Sequence, residues 1–175
     1  IQEAICAEQI LDSIASRAFR RPLLSGELDL AMTFYRRGRE LGDFDLGIRT
    51  GLLPILVSPK FLYRAEPPPV DLPAGMTFPL DDYALASRLS FFLWSRLPDG
   101  ELLALAEEGR LAEPEVMNAQ VQRMLADPRA EALVSNFAKQ WLELQELEGF
   151  NPDPLLFPNV DRELRNAAQQ EIELF

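Results

Sequence analysis

Apolar residues recur along most of this chain at three- and four-residue intervals, the spacing that puts side chains on one face of a helix. Over about Glu3–Arg20 the stripe is Ile10, Leu11, Ile14, Ala15, Ala18 and Phe19, with charges opposite, and Pro22 stops it. Ser25 reads as the N-cap of a second helix over about Glu27–Leu41, with Leu28, Met32 and Tyr35 as its stripe. Gly42 ends that helix. Asp43 caps a third that runs toward Val57 and is kinked or shortened by Pro54. Ser58-Pro59 opens a short turn through Phe61, Leu62 and Tyr63.

Residues 65–79 hold five prolines and a glycine and predict an extended linker, which Val70, Leu72, Met76 and Phe78 are placed to pin against a neighbouring surface. Helical patterning resumes with Asp81 or Asp82 capping a helix through about Ser95. Its stripe is Tyr83, Ala86, Leu89, Ser90 and Leu93, and Phe91, Phe92 and Trp94 widen it until the helix reads as the most buried element. Asp99 caps a short helix ending near Gly109, and Glu113-Pro114 starts another carrying Val116, Val121, Met124 and Leu125. Asp127-Pro128 starts a longer one to about Leu147, with Leu133, Phe137, Trp141 and Leu144, stopped by Gly149. A last helix begins near Asn159 or Asp161. No stretch alternates with period two for long enough to predict a strand. The expected fold is all-α: about eight helices in an irregular bundle, divided into residues 1–64, the Pro-rich linker 65–79, and residues 80–175.

Composition narrows the chemistry. A hydrophobic fraction of 47% with 26% charged residues excludes wholesale disorder. The longest apolar run, Gly51–Val57, is far short of the roughly 20 residues needed to span a bilayer. The net charge of −11 is uneven: residues 1–64 carry nine basic and eight acidic side chains, whereas residues 65–175 carry eight and twenty. So acidic a second part repels nucleic acid; it favours solubility or a basic partner. With no histidine and a single cysteine, the segment contains no haem-attachment motif, histidine-bearing zinc site or Ser-His or Cys-His catalysis. Cys6 is either a small buried hydrophobe or half of a disulfide. The chain opens on Ile1 with no signal-peptide pattern and stops inside a helical pattern at Glu171–Phe175, so it reads as part of a longer protein.

Two basic clusters stand out, Arg17/Arg20/Arg21 and Arg36/Arg37/Arg39. Guanidinium forks bind carboxylates, phosphates or a haem propionate, and they equally pair with the acidic second part to hold the two parts together. Asp81, Asp82, Asp99, Asp127 and Asp161 all stand at helix starts, where capping accounts for them without a paired-acid mechanism. Phe91, Phe92, Trp94 and Trp141 suit a core, or else a cofactor or carbohydrate platform. The glycines sit scattered at predicted helix ends and make no phosphate cradle. No catalytic, cofactor or metal residues are assigned.

Residues 1–64 resemble the bacterial domain of unknown function 1595 through Cys6-Ala7, Ile10-Leu11, Arg17–Leu23 and Leu56–Arg64. Residues 80–175 resemble the front part of the domain of unknown function 1592 through Leu80–Ser95, Met124–Arg129 and Asn136–Leu142. The resemblance implies an exported parent of planctomycete or myxobacterial type with several such domains in tandem, often alongside a cytochrome c-like segment. It also implies a second cysteine upstream of Cys6 as a disulfide partner. The family has no established activity, so no catalytic residue carries over.

The expectation is therefore a non-catalytic helical module of a periplasmic or cell-envelope protein. It packs against or positions a redox domain, with c-type haem in the parent and none in this segment. Its partners are other domains of the same polypeptide or complex, and Arg17, Arg20, Arg21, Arg36 and Arg37 are the candidate interface. The alternatives are part of an enzyme, either a haem oxidoreductase using flanking sequence or a carboxylate-dependent hydrolase, or an envelope or polysaccharide-binding module.

Overall fold

A computed structural model of the chain describes residues 2–64, 66, 69–73, 75–143, 149, 152–153 and 155–174. Among the described residues every regular element is helical, as the periodicity predicts. They form two compact units, Ile1–Ser87 with Leu97–Leu111, and Arg88–Arg96 with Ala112–Phe175.

In the first unit, α1 (Gln2–Phe19) buries Ala7, Leu11 and Ala15, one residue per turn of a single face. It packs on α2 (Asp29–Leu41) and α3 (Phe44–Leu56), which pack closely on each other. Three glycines make that approach close. A Cβ on Gly38 would stand 2.6 Å from the Thr50 hydroxyl and 2.7 Å from the Leu46 carbonyl, and one on Gly51 would stand 2.8 Å from Leu11. Gly38, Gly47 and Gly51 thus lie inside helices at their contacts, not at helix ends as the sequence suggested.

Local caps follow the sequence where one side chain suffices. Asp43 accepts from Leu46 N, and Ser58 accepts from Lys60 N ahead of α4 (Pro59–Leu62). Pro54 does not end α3, which continues to Leu56: near the C-terminal end only the Thr50 carbonyl loses its helical donor. Ser25 does not cap α2. The chain turns at Gly26 (φ +82°), Glu27 reaches back to accept from Leu24 N, and the helix starts at Asp29 with no side-chain cap.

Of the linker, Leu72 and Phe78 are half-buried, while Val70 and Met76 are exposed and pin nothing. Helix α5 (Asp82–Trp94) follows, with Asp81 accepting from Ala84 N; it contributes six buried residues, and in that respect matches the expected most buried element. Its first part shares the first unit with α6 (Gly100–Glu107), capped by Asp99, and Asp82 accepts from Leu111 N at 2.7 Å.

The second unit holds the end of α5, then α7 (Pro114–Ala126). Trp94 is fully buried and donates from its indole N–H to the Met124 carbonyl at 2.9 Å. Arg129 lies 3.5 Å from its ring centroid and is held there by a bidentate pair with Asp127, 2.8 Å at each contact. That pair draws the Asp127 carboxyl from 3.8 down to about 2. The expected long helix after Asp127 is instead a 3₁₀ turn (Pro128–Ala130), then a π-helical stretch (Leu133–Ala138) running into α8 (Lys139–Trp141). Its predicted end at Leu144–Leu147 lies outside the described residues. Helix α9 (Arg162–Leu174) closes the chain, with Asp161 accepting from Leu164 N.

Candidate functional site

The C-terminal end of α1 cannot continue past Phe19 because Pro22 follows, and it closes on Arg20 in a left-handed turn at φ +62°. Arg21 N donates to the Ser16 carbonyl, the long bond of a helix-ending motif usually built on glycine. The Arg20 guanidinium holds this turn. It donates to the carbonyls of Ala18 (3.0 Å), Lys60 (2.8 Å) and Tyr63 (3.1 Å), tying the end of α1 to the end of α4. A cation at two helix C-termini meets carbonyls that lack an intrahelical donor. Burial pushes the Arg20 pKa down from its ordinary value.

Arg21 makes a second tie. Its guanidinium grips Glu27 through two bonds of 2.8 and 2.7 Å, and Lys60 also donates to the Glu27 carboxylate. The Glu27 side chain is only 9% exposed. These donors, Arg21 first, hold its carboxyl far below the usual carboxylate range, and Glu27 in turn raises Arg21.

These ties shape one wall of a cleft of about 650 Å³, contained in the first unit. Phe19, Arg20 and Arg21 come from the end of α1, and Pro59, Lys60 and Tyr63 from α4. Glu66 and the start of α5 (Asp81, Tyr83, Ala84 and Ser87) complete it. Ser87, in its lining, is 4% exposed. Burial, then the charges of Glu107 and Asp81, raises the Tyr83 pKa.

Of the five arginines expected at an interface, Arg20 and Arg21 are thus engaged within the first 63 residues, and the carboxylate that Arg21 grips is Glu27, not one from the acidic second part. Arg17, Arg36 and Arg37 are exposed, and nearby Arg39 pairs with Glu3, which also accepts from the Tyr35 hydroxyl. Cys6 is an exposed free thiol. Among the described residues no group of three or more His, Cys, Asp or Glu is arranged to hold a metal ion, and no helix is long and apolar enough to cross a membrane.

The aromatic residues divide. Trp94 is core as expected, but Trp141 is 72% exposed, Phe137 45% and Phe92 51%. Phe137 stacks on Trp141 with centroids 6.0 Å apart and meets Phe92 edge-on at 5.3 Å. The three form an exposed row in the second unit, Phe92 from α5, Phe137 from the π-helical stretch and Trp141 from α8. Neither this row nor the cleft is legible in residue spacing. The cleft gathers positions 19–21, 59–66 and 81–87, and the sequence signals nearest to it were Arg20 and Arg21 of the first basic cluster and the capping Asp81.

Fold and cleft together define a class of protein: an all-helical one with a cleft of small-molecule size whose charged walls are largely committed to structural bonds. Within that class the chain belongs to the family of proteins of unknown function DUF1592, whose model matches residues 80–175, and residues 6–66 match a second family of unknown function, DUF1595, in tandem. No curated protein and no solved structure matches the chain.

Proposed function

We propose that this chain is a non-catalytic helical module that packs against a redox domain of the same polypeptide or complex and holds it in position, in an exported protein that carries c-type haem. The exposed Phe92–Phe137–Trp141 row carries the packing part of this reading. Soluble domains bury aromatic residues of this size or use them to bind, and tryptophan is enriched among the residues that dominate interface energies. The row replaces the arginine clusters as the leading contact surface, since Arg20 and Arg21 are spent on the first unit's own turns.

The acids also favour a non-catalytic role. The carboxyls of Glu3, Glu27 and Asp127 are pulled down by arginine, the opposite of what a proton donor needs. Asp81 in the cleft is an exposed helix cap.

The export and haem parts rest on the tandem-domain resemblance. A UV–visible spectrum of the full-length protein, oxidised and then dithionite-reduced, tests the haem premise. A Soret band with sharpened reduced bands is expected; aromatic absorption alone removes the haem and leaves a docking module.

A further inference from the structure

Independently of the docking row, we propose that two copies of this chain associate through the face of the α2–α3 pair that is turned away from α1. The side of the pair toward α1 is closed: Ala31, Met32, Tyr35 and Ile55 are buried in the core there, and Leu28, Phe44, Ile48 and Leu52 pack against it. The opposite side is open. Leu30 is 58% exposed, Leu41 82%, Leu46 39%, Leu53 52% and Val57 69%.

These residues form two matching series. On α2, Leu30, Phe34, Arg37 and Leu41 follow one another at steps of four, three and four. On α3 and its C-cap, Leu46, Thr50, Leu53 and Val57 repeat the same steps. That is the spacing of the seam through which one helix packs lengthwise on another. Phe34 and Thr50, the second residue of each series, are both half-buried. A helical hairpin whose two helices carry the same series is approximately its own mate. Turned through a half-rotation, a second hairpin lays its α2 along the first one's α3 and closes a four-helix bundle.

Area and charge point to the same occupant. The aliphatic side chains of Leu30, Leu41, Leu46, Leu53 and Val57 leave on the order of 500 Å² uncovered. That is the larger share of the roughly 800 Å² per partner in a stable interface. The positions flanking the seam hold exposed Glu40 on α2 and exposed Arg49 on α3. Laying α2 of one copy along α3 of the other brings these opposite charges to the same edge, once on each side of the two-fold axis. Arg37 and Thr50 are the polar members of the two series, of the kind that fix register at some cost in stability.

The test is sedimentation equilibrium of the full-length protein over about 1 to 100 µM. A monomer–dimer equilibrium with a Kd in the micromolar range or below is expected. Leu41→Glu on α2 and Leu53→Glu on α3 each weaken it by about tenfold or more, because each sets a carboxylate into the apolar seam twice per dimer; the helical circular-dichroism signal is retained. Trp141→Ala leaves the dimer intact, which separates this face from the docking row. A full-length protein that stays monomeric throughout overturns the proposal; if Leu53→Glu then lowers the thermal midpoint of that monomer, another domain of the same polypeptide occupies the face. A dimer that both glutamate variants leave at full strength, or that Trp141→Ala disrupts in their place, overturns it as well, since the contact then lies elsewhere.

Discussion

Arg20 shows how one residue settles two structural problems at the same place. Its backbone occupies the left-handed region at φ +62°, a strain of about 1 kcal/mol for a residue with a Cβ. Its guanidinium satisfies three carbonyls in return. Arg20→Gly is expected to relax the turn yet lower stability by about 1–2 kcal/mol, because three charge-assisted bonds outweigh the relief; urea unfolding reads the difference. Glu27 makes a pH-dependent contribution. Its folded pKa is depressed below the ordinary 4.5 by Arg21 and Lys60, so its stabilisation is complete above that value and is lost as pH falls toward the folded pKa. Glu27→Gln should lose about 1–2 kcal/mol at neutral pH and flatten the stability loss of the wild type below pH 4.5. The sequence exposed the arginine clusters plainly. It did not show their partners, because Glu27 reaches Arg21 only once α1 has turned and Lys60 has been brought up from a distant segment.

Among the elements, the features set by a few neighbouring residues were legible. Asp43, Ser58, Asp81, Asp99 and Asp161 all cap where the pattern puts them, since an N-cap needs only its own side chain and the next turn's amides. Ser25 was out-competed by Glu27, a longer acceptor two residues on that also answers Arg21. The glycines of α2 and α3 were misread because a helix-ending glycine and a helix-packing glycine look alike until the partner helix is placed. Gly38→Ala separates the two roles. At a helix interior alanine would gain up to about 1 kcal/mol of propensity. Here its Cβ would stand 2.6 Å from the Thr50 hydroxyl and 2.9 Å from the Gly47 Cα, and such overpacking costs about 1–3 kcal/mol. A lower thermal midpoint is expected; a higher one would mean that α2 and α3 separate easily.

For the molecule as a whole, helical class and the two-part family organisation were readable from periodicity and motif order, whereas the surfaces were not. Phe137 and Trp141 lie on a π-helical stretch and the short helix after it, which have no signature in spacing, and a pattern read at 3.6 residues per turn places Trp141 inside where the structure exposes it. The central claim is that this row meets another domain. It is tested most directly by placing the photo-crosslinker benzoylphenylalanine at position 141 of the full-length protein, with the same substitution at exposed Arg37 as reference, and mapping crosslinked peptides by mass spectrometry. Crosslinks from position 141 to a haem-bearing or other domain outside these 175 residues, absent from position 37, are predicted. Crosslinks confined to this chain, or none at all, would contradict the docking role.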